Sequence, residues 1–442
     1  MVSTSIWTTY SKFINWDEAR ALAQKWGGDL TSNLNYDHSF YTDYDRFDGI
    51  GWVGVKKTNG DFYFLDGTKV RDKYPEDFYI SPPRYDNGYS FNLQIGEFEG
   101  AKPERYGQLA ENQLYFAEGA DTNGVIWDVV GTSIKATSFN DVIEPADVSG
   151  RKIDMGAGND FIHVEYDAKA SSHLKLGTGD DRLYVDAIID GAENIVVEDG
   201  DGEDFIDALG VKIVAALDGD NDTYFYASKL VYEGAKSAIY VENGFARGIE
   251  IGLDRIEDIT EITTGSGNDV VSSSARVVYT KGGNDVISIS GFAYGDGSFV
   301  LPVADAGDGN DMITVSGAGG RVIAGKGDDK ITLVNWDGTG KVELTGGAGS
   351  DRFELAANET ASSLRPIIND FAASGNVQDI LDFTSYNLDA TTVGDAIGKG
   401  LLTISRTGGY TYVGIEGSGE FADLTLMLKG SFGSEIQDNI WI

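Results

Sequence analysis

Cysteine is absent from the 442 residues, which excludes disulfides and thiolate metal sites, and 3 histidines leave little for a zinc or haem centre. Proline is scarce at 7 residues. Glycine reaches 58 without a three-residue period, so it serves backbone bends rather than a collagen helix. Positive charge is in the minority: 34 Lys and Arg face 71 Asp and Glu, a formal net charge of -37. A field of that sign repels nucleic acid and anionic membrane and attracts divalent cations, with calcium the natural counterweight. No apolar run is long enough to span a bilayer, so no membrane insertion is expected. The opening "MVSTSIWTTYSKFINW" has neither the basic nor the apolar region of a cleaved secretory signal. HExxH and GxSxG are both missing, which removes the usual hydrolase sites and favours a non-enzymatic role.

What is present is repetition. The stretches GDGNDMITV and GKGDDKITL, beginning at Gly307 and Gly325, are nearly the same nine residues 18 apart. Aligned on the acidic sixth position, related stretches place aspartates at Asp141, Asp160, Asp181, Asp204, Asp222, Asp269, Asp285, Asp311, Asp329 and Asp351. Their steps are mostly 18 to 23 residues, and the 47-residue gap after Asp222 equals about two steps. A constant motif at a near-constant step predicts a solenoid, each coil holding a sharp turn, a strand, a second turn and a return strand. Stacking at about 4.8 Å then lines the carboxylates into one column.

Like charges in such a column call for a hard cation held between turns by Asp oxygens and turn carbonyls. One GxGND alone reads as a metal-free tight turn; ten in register point to metal. The candidate ligands are Asp160, Asp181, Asp204, Asp222, Asp269, Asp285, Asp311, Asp329 and Asp351. The copies at Asp141, Asp222 and Asp285 lack the first glycine and are expected to be the weakest. Two residues past the aspartates stand Ile162, Leu183, Ile206, Ile287, Ile313, Ile331 and Phe353, which strand alternation turns inward to form a narrow core.

These motifs resemble the GGxGxDxUx nonapeptides of RTX (repeats-in-toxin) proteins. The resemblance implies a parallel β-roll that binds several Ca2+ ions between turns and folds on calcium after export. Here the motif recurs about every second nonapeptide. One edge is therefore expected to carry most of the calcium, the other being closed by degenerate turns such as "NWDGTGK" and "YDAKASS".

The first 130 residues lack the motif and hold five of the 7 tryptophans, so a separate domain is expected over residues 1–131. The spacing of "NWDEARALAQKWGGDL" predicts a helix capped by Asn15 in a box with Glu18, with Trp16, Ala19, Ala23 and Trp26 on one face and Gly27 as the stop. Strands are predicted at "IGWVGVKK", "DFYFLDGTKV", "NQLYFAEG" and "GVIWDVVG", with a long polar loop over residues 77–105. The order, with Glu18, Ala19, Ala23, Gly27, Gly28, Leu30, Trp52 to Gly54, Asp66, Gly67 and Trp127-Asp128, resembles an α+β bacterial C-type lectin-like domain. That family's cysteines and its Glu-Pro-Asn sugar signature are missing here. The resemblance implies a ligand site formed by Glu111 and Asp128 with Asp86 or Asn87 from the loop, where calcium and an aromatic face suit a sugar.

After Leu355, "RPIINDFAASGNVQDILDFTSYNLDA" resembles the cap that closes RTX arrays before a type I secretion signal, followed by a predicted hairpin at "LLTISRTGGYTYVGI". The expected organisation is a lectin-like domain (1–131), a calcium-binding β-roll (132–360) and a β-rich cap with the export signal (361–442). The expected function is that of a bacterial, type I-secreted, extracellular adhesin whose partners are a glycan or peptide on a cell surface and the export machinery. An S-layer or matrix protein assembling through calcium is the structural alternative, and a secreted hydrolase with an RTX tail is the enzymatic one.

Overall fold

The computed structural model describes residues 3–14, 16–30, 51–58, 61–64, 79–80, 94–97, 106–110, 113–116 and 122–442, the last range without 147, 166, 187–189, 223, 233, 243, 295–297, 337–339, 357–364 and 417–422. The chain divides into two compact units, residues 1–211 and 212–442. It is mostly β-structure with few, short helices among the described residues, and its strand pairings are mixed but mostly parallel.

In the first unit the strand Ser3–Ile14 pairs antiparallel with Thr122–Val130 on one side (Ile6 opposite Trp127) and with Asn140–Ala146 on the other (Trp7 opposite Val142). The predicted helix spans Trp16–Lys25 and buries Ala19 and Ala23. It stops where Gly27 turns left-handed at φ 97, and the Gly28 N–H donates to the Ala23 carbonyl at 3.0 Å. Asn15, the predicted cap, lies outside the described residues. Arg20 donates through Nε and Nη2 to the two oxygens of Asp29, each at 3.0 Å, and so ties the helix to the strand Asp29–Leu30. The other predicted strands form as Gly51–Thr58, Asp61–Phe64, Gln113–Phe116 and Thr122–Val130.

From residue 133 onward the unit is a stack of parallel coils. On one face Ile134, Ile153, Leu174 and Val197 stand in register. On the other stand Ile143, Ile162, Leu183 and Ile206, and all eight are essentially inaccessible to solvent. Each coil thus adds one apolar side chain to each of two interior columns, as parallel strands covered on their inner faces require.

The second unit repeats the arrangement over a longer run. Val278, Ala304, Val322, Leu344, Ile368 and Leu428 stack on one face. Ile287, Ile313, Ile331, Phe353, Leu381 and Ile440 stack on the other. The coil register therefore continues past Leu355, where the motif ends, through Ile380–Asp382 and Ile440–Trp441. The C-terminal hairpin forms as expected: Leu402–Thr407 and Tyr410–Ile415 pair antiparallel around Gly408 and Gly409, both left-handed, at φ 60 and 82. Within the 47-residue gap the structure departs from two ordinary steps. An antiparallel meander of Ile239–Glu242, Phe245–Gly248 and Gly252–Glu257 takes up the extra residues.

The turns stack too closely for side chains. Gly309 sits at φ 141, and a Cβ added there would stand 1.7 Å from the Gly283 carbonyl oxygen. Gly309→Ala is therefore expected to destabilise the folded chain by more than about 4 kcal/mol in urea unfolding. Gly398→Ala, whose Cβ would meet nothing within 4 Å on a helix, should be neutral or stabilise by up to about 1 kcal/mol. A similar loss at both sites would overturn this account of the turns.

Candidate metal centre

Each aspartate of the motif except Asp222 is buried at the turn between two strands, its carboxylate set into the stack. In the first unit the Asp141 N–H donates to Asp160 Oδ1 at 2.7 Å, the Asp160 N–H to Asp181 Oδ1 at 2.7 Å, and the Asp181 N–H to Asp204 Oδ1 at 2.8 Å. In the second unit the same bond runs from Asp269 to Asp285 (2.7 Å), Asp285 to Asp311 (2.7 Å), Asp311 to Asp329 (2.8 Å), Asp329 to Asp351 (3.0 Å) and Asp351 to Asp379 (2.9 Å). One oxygen of every such carboxylate thus fixes the neighbouring coil. A parallel ladder of fifth-position side chains stitches the turns in the opposite direction: Asn284 N–H to Asn268 Oδ1, Asn310 N–H to Asn284 Oδ1, and Asp328 N–H to Asn310 Oδ1, at 2.8 to 2.9 Å.

The other oxygen is the informative one. Oδ2 of Asp160, Asp181, Asp269, Asp285, Asp311, Asp329 and Asp351 is buried and has no hydrogen-bond partner among the described residues, although each residue is at most 3% exposed. Burial pushes the Asp160 carboxyl up to about 9, and the charges of Asp141 and Asp181 add to the push. Burial likewise raises Asp181, Asp285 and Asp351 to about 7 and Asp329 to about 6, and moves Asp269 and Asp311 in the same direction. An ionised buried carboxylate with a free lone pair is costly, so the column needs a cation or a proton. Its donors are oxygens alone, carboxylate beside turn backbone, which suits a hard divalent cation rather than a soft one.

The carboxylate that begins the first unit's series and the one that ends the second unit's series are filled by hydrogen bonds instead. Asp141 takes the Thr8 hydroxyl on Oδ1 and the Thr137 N–H and hydroxyl on Oδ2 at 2.7 and 2.8 Å, so its two oxygens are filled. Asp379, which follows no glycine motif and escapes the sequence reading, takes the Ala372 N–H on Oδ2 at 2.7 Å. Its sequence signals are the apolar Leu381 two residues on and the distance of 28 residues from Asp351, a little beyond the ordinary step.

The remaining candidates are placed as follows. Asp204 is buried at the end of the first unit's series. Asp222 is half-exposed, and its N–H reaches Oδ1 of Asp254 at 3.5 Å. Asp254 is the buried member there, with Oδ2 taking the Tyr232 hydroxyl at 2.6 Å and its carboxyl raised to about 7 by burial. Asp285 keeps full register with its neighbours despite the missing glycine, because Lys281 itself adopts φ 60 and its carbonyl lies where a glycine's would. Upstream of Asp269 the column ends at Ile239, whose N–H donates to Asp269 Oδ1 at 2.8 Å. On the opposite edge Ala168 and Ala318 occupy the inward turn positions, both wholly buried, and the Ala168 N–H bonds the Asp190 carbonyl at 2.9 Å. Residues 337–339 of the "NWDGTGK" turn lie outside the described residues.

Of the expected ligand-binding set, Asp86, Asn87 and Glu111 lie outside the described residues. Asp128 lies in the strand Thr122–Val130, its backbone opposite Ser5 on one side and Asp29 on the other. No protein-family model matches the chain, and no curated protein is similar to it. No described helix is long and apolar enough to cross a membrane.

Proposed function

We propose that the stacked turns bind calcium and that the chain is a secreted, calcium-dependent adhesin of RTX type, folding after export and contacting a glycan or peptide on a cell surface through residues 1–131. The observation that carries the calcium reading is the run of buried Oδ2 atoms without a hydrogen bond at Asp160, Asp181, Asp269, Asp285, Asp311, Asp329 and Asp351. A bound calcium would supply the positive charge this column lacks. The chain's own contribution is to hold each carboxylate by one oxygen and leave the other facing the turn. The adhesin reading is supported by the aromatic-rich N-terminal sequence with its long polar loop, and by the missing hydrolase motifs.

Asp311→Asn separates charge from shape. The asparagine carbonyl keeps the acceptor for the Asp285 N–H, while the buried negative charge is lost. The expected result is a metal-free protein at least as stable as the parent, together with a smaller calcium-induced rise in Tm and about one ion fewer by isothermal titration calorimetry. Asp141→Asn should leave the calcium response unchanged, because Thr8 and Thr137 already fill that carboxylate. Equal effects at the two positions would sink the reading. For the surface contact, Asp128→Ala in the full chain should remove at least one class of glycan from those bound on a glycan array and leave the calcium response intact.

A further inference from the structure

The second unit holds a cavity of about 450 Å³ that the calcium reading leaves unused, a volume typical of small-ligand sites. One wall is a ladder of hydroxyls across three coils. Ser272, Ser288 and Thr314 stand in parallel register, with Ser290 opposite Ser316 beside them. Strand alternation sends these side chains away from the core, since Ile287, Ile289 and Ile313 between them are buried. Ser272, Ser288, Ser290 and Thr314 make no side-chain hydrogen bond within the described protein. The facing wall is the end of the meander, with Gly244, Ile256 and Glu257, followed by Asp258 in the left-handed region at φ 54.

The charges lining the cavity narrow the ligand class. Among the described residues no Lys, Arg or His lines it, which disfavours an anion. Its acids are Glu242, Glu257 and Asp258. Arg247 donates to Glu242 at 2.8 Å, while Glu257 takes the Tyr224 hydroxyl at 3.1 Å and faces Arg255 at 3.6 Å. Two of the three negative charges are therefore offset and oriented by arginines, which also disfavours a cation. What remains is a set of fixed carboxylate acceptors, hydroxyls able to donate and accept, and apolar surface from the half-buried Ile259. A neutral molecule rich in hydroxyls, with C–H faces between them, complements all three.

We propose that this cavity binds a neutral saccharide, its hydroxyls set against the ladder of Ser272, Ser288 and Thr314. Coils repeat at about 4.8 Å, so successive rungs offer equivalent hydrogen bonds to successive sugar units of a chain lying across the strands. The site is separate from residues 1–131 and depends on calcium only for the coils to be folded.

The test titrates the full calcium-loaded chain with malto- and cello-oligosaccharides by calorimetry. Ser288→Leu, which fills the cavity from an outward position, should weaken binding at least about tenfold. Glu257→Gln should weaken it as well, which gives a second reading should the larger side chain disturb folding. Calcium stoichiometry should be unchanged in both, and Asp128→Ala should retain the binding. The proposal is overturned if none of these oligosaccharides binds, if Ser288→Leu and Glu257→Gln leave binding intact, if Asp128→Ala removes it, or if spermine binds the cavity in their place. Failure of the calcium response itself would count against the proposed function and not against this site.

Discussion

Stripped of divalent metal by excess chelator at about pH 8, the chain is expected to lose most of its strand signal in circular dichroism, and added calcium is expected to restore it. At that pH, without metal, the buried carboxylates must ionise against their surroundings or hold a proton that bulk solution opposes. A buried, unpaired charge costs several kcal/mol even after relaxation. Seven such groups, Asp160, Asp181, Asp269, Asp285, Asp311, Asp329 and Asp351, stand in two series of neighbouring coils. The net stability of a domain is about 5–15 kcal/mol, so the summed cost exceeds what the narrow apolar columns leave over. Each calcium site saturated at about a hundred times its Kd returns roughly 2.7 kcal/mol. Coils interact chiefly with their neighbours, so the transition should be steep in calcium within each unit. A strand spectrum that chelator leaves unchanged would remove the basis of the calcium reading.

Acid should substitute in part for the metal. In the chelated chain the folded-state carboxyls of Asp181, Asp285 and Asp351 lie near 7, Asp329 near 6 and Asp160 near 9, all pushed up by burial, whereas an unfolded aspartate titrates at about 3.9. A group whose folded value is raised contributes stability that is fully present below the unfolded value and is lost as pH rises through the folded one. These aspartates therefore favour folding most at about pH 4 and below, and progressively cease to do so between about pH 4 and 9. Asp29, Glu198 and Asp382 act in the opposite sense: Arg20 and Lys175 hold the first two down, and Thr384 together with Arg352 holds Asp382 down, so their contribution is lost as pH falls through the acid range. The chelated protein should accordingly show its highest Tm at about pH 4 to 5.5 and a falling Tm above it. The calcium-loaded protein should not fall in this way, because a bound cation keeps the carboxylates ionised. A chelated protein that gains stability from about pH 5 to pH 8 would contradict the burial of these groups without partners.

The sequence by itself determined whatever repeats with the coil. Motif spacing matches coil length, so alignment on the sixth position was enough to place Asp160, Asp181, Asp269, Asp285, Asp311, Asp329 and Asp351 in stacked series and to turn Ile162, Leu183, Ile287, Ile313, Ile331 and Phe353 inward. The helix at Trp16–Lys25 and the Gly408-Gly409 hairpin were equally local, set by apolar spacing and by residues free to turn left-handed. Tertiary structure alone decided how the column ends and where it breaks. Thr8 fills Asp141 across 133 residues, a contact no local pattern encodes, and it exists because the strand Ser3–Ile14 pairs on both of its edges. Asp379 and Asp254 take buried positions without a glycine motif, the first through continued coil register and the second through the meander that fills the long gap. Lys281 shows why a missing glycine misleads. Its turn is fixed by the coils stacked around it, and that packing holds a left-handed backbone that lysine's own preference disfavours.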